Sequence, residues 1–225
     1  MSPGEYFLVT GGSGGIGAAT CVALAGAGFR PLVAFHRNEQ GAREIALRCG
    51  GASVALDLGC DRSIDSVLEW LAHADTELAG VVNAASPPPE IVSFGKIRPE
   101  ELVQQWRINV EGPRRLIAGL VRRRLGKRKK GTIVGVLSAA MGNERGVAMR
   151  NMGSYLIAKY GQSGLLAVLA TEYPWLKIRS VRPGYTETRM LAAFDERFIG
   201  MQREREPFNT PEDVAAMIID QILSP

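Results

Sequence analysis

Histidine is almost missing from this chain: His36 and His73 are the only two in 225 residues. A His-rich metal site is thereby excluded, and a Ser-His triad would need one of those two as its base. Cysteine is scarce as well. Cys21, Cys49 and Cys60 are odd in number and fall in no metal-like or redox-like spacing, so they read as small hydrophobes. The longest apolar stretches are short and broken by glycine, which argues against a bilayer span and a membrane partner. Phe7-Leu8-Val9 runs straight into glycines without the charged-then-apolar layout of a signal peptide. A cytoplasmic location is therefore expected. No aromatic residue interleaves the basic run Arg122–Lys130, which leaves no platform for stacking bases. Solvated cations at a helix C-terminus account for that run, and no nucleic-acid partner is expected.

What is present reads as one globular domain over residues 1–225, with 46% hydrophobic and 22% charged residues, long enough to bury a core without staples. Short β-rich runs (Tyr6–Thr10, Leu32–His36, Ser53–Leu56, Gly80–Asn83, Thr132–Leu137, Ile178–Val181) alternate with helical patterns. The latter cover Ile16–Ala27, Glu39–Cys49, Ile64–Ala72, Glu100–Arg124 and Gly153–Glu172. Such alternation predicts an α/β fold: a single doubly wound parallel sheet of the Rossmann kind, with about six strands and helices on both faces. Ligands in these sheets bind beyond the carboxyl ends of the strands, so the residues that follow each strand carry the information.

After the first strand comes Thr10-Gly11-Gly12-Ser13-Gly14-Gly15-Ile16-Gly17, followed by a helical pattern. Its glycines allow a tight turn and let backbone N–H groups approach a pyrophosphate at a helix N-terminus. Where NAD-binding sheets place an acid after the second strand, this chain has His36, Arg37 and Asn38. A carboxylate would repel a 2′-phosphate, whereas a guanidinium pairs with it, so NADP(H) is preferred over NAD(H).

Tyr155-Leu156-Ile157-Ala158-Lys159 puts a phenol and an amine four residues apart, on one helix face. Hydride transfer to a carbonyl leaves an alkoxide that needs a proton, and a phenol with its usual pKa near ~10 is a reluctant donor. A nearby ammonium is expected to lower that value. Ser138 ends the fifth predicted strand and would hold the substrate oxygen against the phenol. Read alone, Asn109 is a polar residue within a helical pattern, able either to join a proton relay or to face solvent.

The Thr-Gly-x-x-x-Gly-x-Gly spacing of Gly11, Gly15 and Gly17, together with Ser138, Tyr155 and Lys159, resembles the short-chain dehydrogenase/reductase family. Its 3-oxoacyl-(acyl carrier protein) reductase-like members are the most similar, and the resemblance runs from Phe7 to Leu223. It implies that Asp57 and Leu58 contact adenine, and that Asn83, Ala84 and Ala85 line the nicotinamide ribose. Ser86 stands where the family has glycine, and Gly14 where it often has a second basic residue. Asn109 would kink its helix and hold a water linked to Lys159, which itself reaches the ribose. Pro183, Gly184, Thr186 and Thr188 would hold the carboxamide. Two segments depart from the family pattern. Residues 141–152, with Met141, Met149, Met152, Glu144 and Arg145, are about four residues longer than usual. Residues 189–206 would form a mobile lid. The family's usual C-terminal strand is lacking, which predicts a homodimer through the helices after strands four and five.

The expectation is thus an NADPH-dependent reductase of a ketone, either a small molecule or a carrier-bound 3-oxoacyl thioester docked on Arg122–Lys130. An oxidative alcohol or sugar dehydrogenase and a non-catalytic cofactor-binding sensor are the alternatives.

Overall fold

A computed structural model describes residues 4–74, 77–142 and 147–225. Six strands form one sheet: β1 (Tyr6–Thr10), β2 (Arg30–Phe35), β3 (Ala52–Ala55), β4 (Leu78–Asn83), β5 (Gly131–Val136) and β6 (Leu176–Val181). Every pairing is parallel and the order is β3-β2-β1-β4-β5-β6. The winding therefore reverses between β1 and β4, and the crevice expected at such a reversal opens beyond Thr10 and Asn83.

Side chains of period two send neighbouring residues to opposite faces. Phe7 and Val9 join Val33, Val82 and Val134 on one face, while Leu8 joins Leu32, Val81 and Ile133 on the other. Helices cover both. α1 (Gly15–Gly26), α2 (Glu39–Arg48) and α9 (Pro211–Leu223) pack on the first face through Cys21, Leu24, Ala42, Val214 and Ile218. The second is covered by α3 (Asp61–His73), α5 (Gly112–Leu120) and α7 (Gly153–Glu172), through Ile64, Leu68, Leu116, Leu120 and Leu166. The start of α9 follows from its sequence: Thr210 caps Asp213 reciprocally and Pro211 opens the first turn.

Strand ends differ from the hydrophobic runs by one or two residues, because ladder pairing rather than hydrophobicity sets them. β2, β4 and β6 each start two residues early, whereas β2, β3 and β5 stop one residue short, which leaves His36, Leu56 and Leu137 past the ladder. The single helix expected over Glu100–Arg124 is broken. α4 (Pro99–Trp106) and α5 are separated by a π-helical turn at Arg107–Glu111, and a second such turn at Val121–Leu125 leads into the short α6 (Gly126–Arg128). Residues 189–206, expected to be a lid, form a 3-10 turn (Arg189–Ala193) and α8 (Glu196–Arg205). Glu144 and Arg145 lie outside the described residues, as does the middle of their loop. Among the described residues, no helix is long and apolar enough to cross a membrane.

At the reversal point the buried Thr10 donates its hydroxyl to Asn83 Oδ1 (2.9 Å) and accepts from the backbone N–H groups of Ala84 and Ala85 (both 3.1 Å). One hydroxyl thus joins the ends of β1 and β4. Thr10→Val, nearly isosteric, strands three polar groups. We expect it to cost ~2–4 kcal/mol in urea unfolding, whereas an effect under ~0.5 kcal/mol would show that the joint carries little load.

Candidate active site

The glycine loop turns tightly between β1 and α1. Gly11 adopts φ +66°, and a Cβ there would sit 3.0 Å from Ala85 Cα, so the two strand-end loops lie in direct contact. A Cβ on Gly17 would come within 2.2 Å of the Gly11 carbonyl oxygen, so any larger residue would push the loop open. Gly14 precedes α1 and no side chain caps that helix. Gly14 N donates to Gly11 O (2.9 Å), while the N–H groups of Gly15 and Ile16 in the first turn of α1 have no partner among the described residues and can face an anion. Ser13 offers its carbonyl to Asn38 Nδ2 (3.5 Å), and Asn38 also caps α2 through Gly41. The loop after β2 is thus tied to the glycine loop.

Past β2, His36 and Arg37 are exposed. His36 Nε2 lies 3.5 Å from Asp57 Oδ2, and Asp57 Oδ1 accepts from Gly59 N (2.8 Å). Arg37 makes no hydrogen bond or ion pair among the described residues. Leu58 buries its side chain in the core and lies against Gly112.

A cavity of about 300 Å³ occupies the carboxyl ends of β4, β5 and β6. It brings together Ile16, Ala84, Ser138, Tyr155, Lys159, Pro183, Gly184, Thr186 and Thr188, which come from five separate parts of the sequence. Ser138 stands just past β5, caps the following turn by accepting from Ala140 N (3.2 Å), and hydrogen-bonds Tyr155. Ala139 N donates to Pro183 O (2.9 Å), which fixes the loop after β6 beside the serine. Thr186 donates to Gly184 O (3.1 Å), and Thr188 caps the 3-10 turn through Met190 N (3.4 Å).

Tyr155 and Lys159 are both buried on one face of α7, with Lys159 Nζ 5.5 Å from the phenol ring centre. Lys159 donates to Val136 O (2.8 Å) and Gln162 Oε1 (3.1 Å). Burial pulls its ammonium down to about 7. The phenol does not follow the expected direction. Burial pushes the Tyr155 pKa up, and the hydrogen bond with Ser138 only partly opposes this. Desolvation disfavours both charged forms, so the phenol stays a neutral donor.

Asn109 is fully buried in the π-helical turn, so the helix is irregular where the resemblance implied a kink. It does not line the cavity. Its Nδ2 donates to Gln105 O and Gln105 Oε1 (3.0 Å each), and its Oδ1 has no partner among the described residues. The same is true of Gln162 Nε2. Gln162, Gln105, Thr10 and Tyr185 were not singled out from the sequence. Gln162 follows Lys159 by three positions on the same helix face, and that spacing was the available signal. Nothing local marks Gln105, whose importance arises only from the packing of α4.

The basic run lies at the other end of the molecule. Arg128 pairs with Glu5 (2.7 Å) and Glu77 (3.3 Å), which precede β1 and β4. It therefore sits at the amino ends of strands whose carboxyl ends form the cavity. A six-residue strand separates the two by about 20 Å. The basic run and the cavity thus lie at opposite ends of the sheet.

This arrangement places the chain among dinucleotide-fold proteins with a phenol, an amine and a hydroxyl in one cavity. Residues 5–197 match the family model for short chain dehydrogenases, and the chain belongs to that family of oxidoreductases. It is 29% identical over 191 residues to the 2,5-dichloro-2,5-cyclohexadiene-1,4-diol dehydrogenase of Sphingobium indicum, covering 84% of this chain and 75% of that one. It is also 29% identical over 198 residues to the 3-oxoacyl-(acyl-carrier-protein) reductase of Escherichia coli K12, covering 86% and 78%. The structure of a short-chain type dehydrogenase/reductase from Mycobacterium ulcerans superposes with a TM-score of 0.86 at 23% identity, covering all of this chain and 85% of that one.

The buried Lys159 gives a stability test. Between about 7 and the ordinary lysine value, the unfolded chain keeps a proton that the folded chain has lost, so stability rises with pH across that interval. Without cofactor, Lys159→Met should be ~1–3 kcal/mol more stable than the parent in urea near pH 6, with the gap closing toward pH 10. A gap independent of pH would contradict the burial of a titrating amine.

Proposed function

We propose that this protein is a cytoplasmic NADPH-dependent reductase that converts a ketone to a secondary alcohol. The observation that carries the proposal is the joint placement of Ser138, Tyr155 and Lys159 in one cavity beyond the strand ends. When bound, the nicotinamide supplies a hydride to the carbonyl carbon. Ser138 Oγ and the Tyr155 hydroxyl hold the carbonyl oxygen, and Tyr155 gives it a proton as the carbon–oxygen double bond opens. Its raised pKa keeps that proton in place until then. Lys159, through its ammonium form, stabilises the phenolate left behind and holds the ribose. Asn109 supports this group from the π-helical turn, where its unpartnered Oδ1 is available to a water.

Fit to the cofactor rests on the cradle described above. The uncapped N-terminus of α1 and the closely packed Gly11 and Gly17 leave backbone N–H groups and space for a pyrophosphate, with the Asn83–Ala85 loop beside the nicotinamide ribose. Arg37, free of partners among the described residues, would take the 2′-phosphate, with His36 and Asn38 beside it. Asp57 and the backbone of Leu58 would flank the adenine, and Pro183, Gly184, Thr186 and Thr188 the carboxamide. The reductive direction follows from the choice of NADPH. The chain would work as a homodimer through α4, α5 and α7, where Val103, Trp106, Ile157 and Val168 leave apolar area exposed.

Tyr155→Phe tests the chemistry. Ketone-dependent NADPH oxidation should fall about a hundred- to ten-thousand-fold, while cofactor affinity by fluorescence titration stays within about three-fold. Unchanged turnover would refute the role of the phenol, and with it this reading. Arg37→Ala tests the cofactor. The ratio of kcat/KM for NADPH over NADH should drop about ten-fold or more, and a constant ratio would remove the basis for the preference.

A further inference from the structure

The part of the cavity beyond Ser138 and Tyr155 is walled by half-buried apolar side chains: Met149, Leu191, Phe194 and Tyr185. These are held together. Tyr185 donates to Met149 Sδ (3.5 Å), meets Phe194 edge-on at 6.0 Å, and stacks on Phe208 at 4.9 Å. Phe194 in turn stacks on Phe198 at 5.8 Å. The result is one aromatic wall formed by the loop after β6 and by α8.

The charges that line the cavity are of unequal use to a ligand, and Arg203, which packs over Phe208 5.3 Å from its centre, is paired with Glu187 (2.8 Å). The described lining of the cavity contains two ionisable side chains with formal charge, Lys159 and Glu206. Lys159 is buried and already donates to Val136 and Gln162. Glu206 lies at the exposed rim, makes no ion pair among the described residues, and adds to burial in pushing the Tyr185 phenol pKa up. No arginine among the described residues lines the cavity. A substrate carrying a carboxylate or phosphate near its carbonyl would meet a carboxylate at the rim and, among the described residues, no free cation inside. A polyhydroxylated substrate would meet thioether and ring surface in place of partners for its hydroxyls.

We propose that the substrate is an uncharged, predominantly apolar ketone carrying a ring, with the ring lying against the Met149–Tyr185–Phe194 wall and Glu206 turning anionic ketones away. This rests on the reading of Ser138 and Tyr155 as the carbonyl site, and adds to it which ketones enter.

Three acetophenones that differ only at the para position provide the test: the tert-butyl compound, its trimethylammonium isostere and the carboxylate. Two measurements are made on each, kcat/KM with saturating NADPH and calorimetric affinity for the wild-type protein loaded with NADP+, where no turnover can occur. The carboxylate is expected to bind about ten-fold or more weakly than the tert-butyl compound, with the cation penalised less than the anion. Glu206→Gln should narrow the neutral-to-anion ratio about three-fold, a modest change because the rim is solvated. The intrinsic reactivity of each ketone cancels in that comparison. Equal or tighter binding of the carboxylate, or no binding of the neutral ketone to the loaded protein, overturns the proposal. Should the affinity order hold while no ketone is reduced, the carbonyl-reductase reading fails and the selectivity of the cavity stands.

Discussion

Thr10 stands where the sheet changes direction, and its hydroxyl is the shared partner of Asn83 Oδ1 and the N–H groups of Ala84 and Ala85. At that point β1 and β4 are neighbours whose following segments leave toward opposite faces. Nothing in the ladder holds those departing loops, because the backbone pairing ends with the strands. The threonine supplies the missing link. It sets the Asn83–Ala85 loop against the glycine loop closely enough that Gly11 lies beside Ala85 Cα. The crevice owes its shape to this joint, and the cavity on its β5 and β6 side continues the same opening.

A second constraint acts within the cavity, where burial and chemistry pull in different directions. An ammonium in a dry interior is unfavourable, and among the described residues Lys159 has two acceptors there, Val136 O and Gln162 Oε1. The fold gains nothing obvious from an amine at that position. Its presence is intelligible if the amine serves a bound ligand, in keeping with the general cost of stability at functional sites. The orphaned Oδ1 of Asn109 and Nε2 of Gln162 belong to the same pattern: polar atoms placed in the interior without complete satisfaction by the protein.

The two ends of the sheet have separate characters. Cations gather at the amino ends, partly neutralised by Glu5 and Glu77. The carboxyl ends carry the glycine loop, the cavity and its aromatic wall. A doubly wound parallel sheet makes this division natural, since all its strands point one way and all their following loops collect at one end.

Much of this was legible in the linear sequence because it depends on local order. The six strands, the glycine loop and its helix, the Tyr155–Lys159 spacing and the cap at Thr210 arise from periodicity, turn chemistry and helix geometry within a few residues. Other features come from contacts between distant segments. The break at Arg107–Glu111 has a local cause in Pro113, which lacks an N–H and crowds the Asn109 carbonyl, but the burial of Asn109 there depends on the packing of that turn against α7. The sequence placed an amine beside a phenol, but only the three-dimensional burial of both decided that desolvation would pull the amine's pKa down and push the phenol's up, against the opposing hydrogen bond with Ser138. Likewise the basic run was plain in the sequence, while its position at the end of the sheet remote from the cavity was settled by the strand order. The sequence by itself determined the type of fold and the chemical groups available. Tertiary structure decided which of those groups meet, how dry their surroundings are and what shape of molecule can reach them, because distance and dielectric are properties of the packed chain and not of its order.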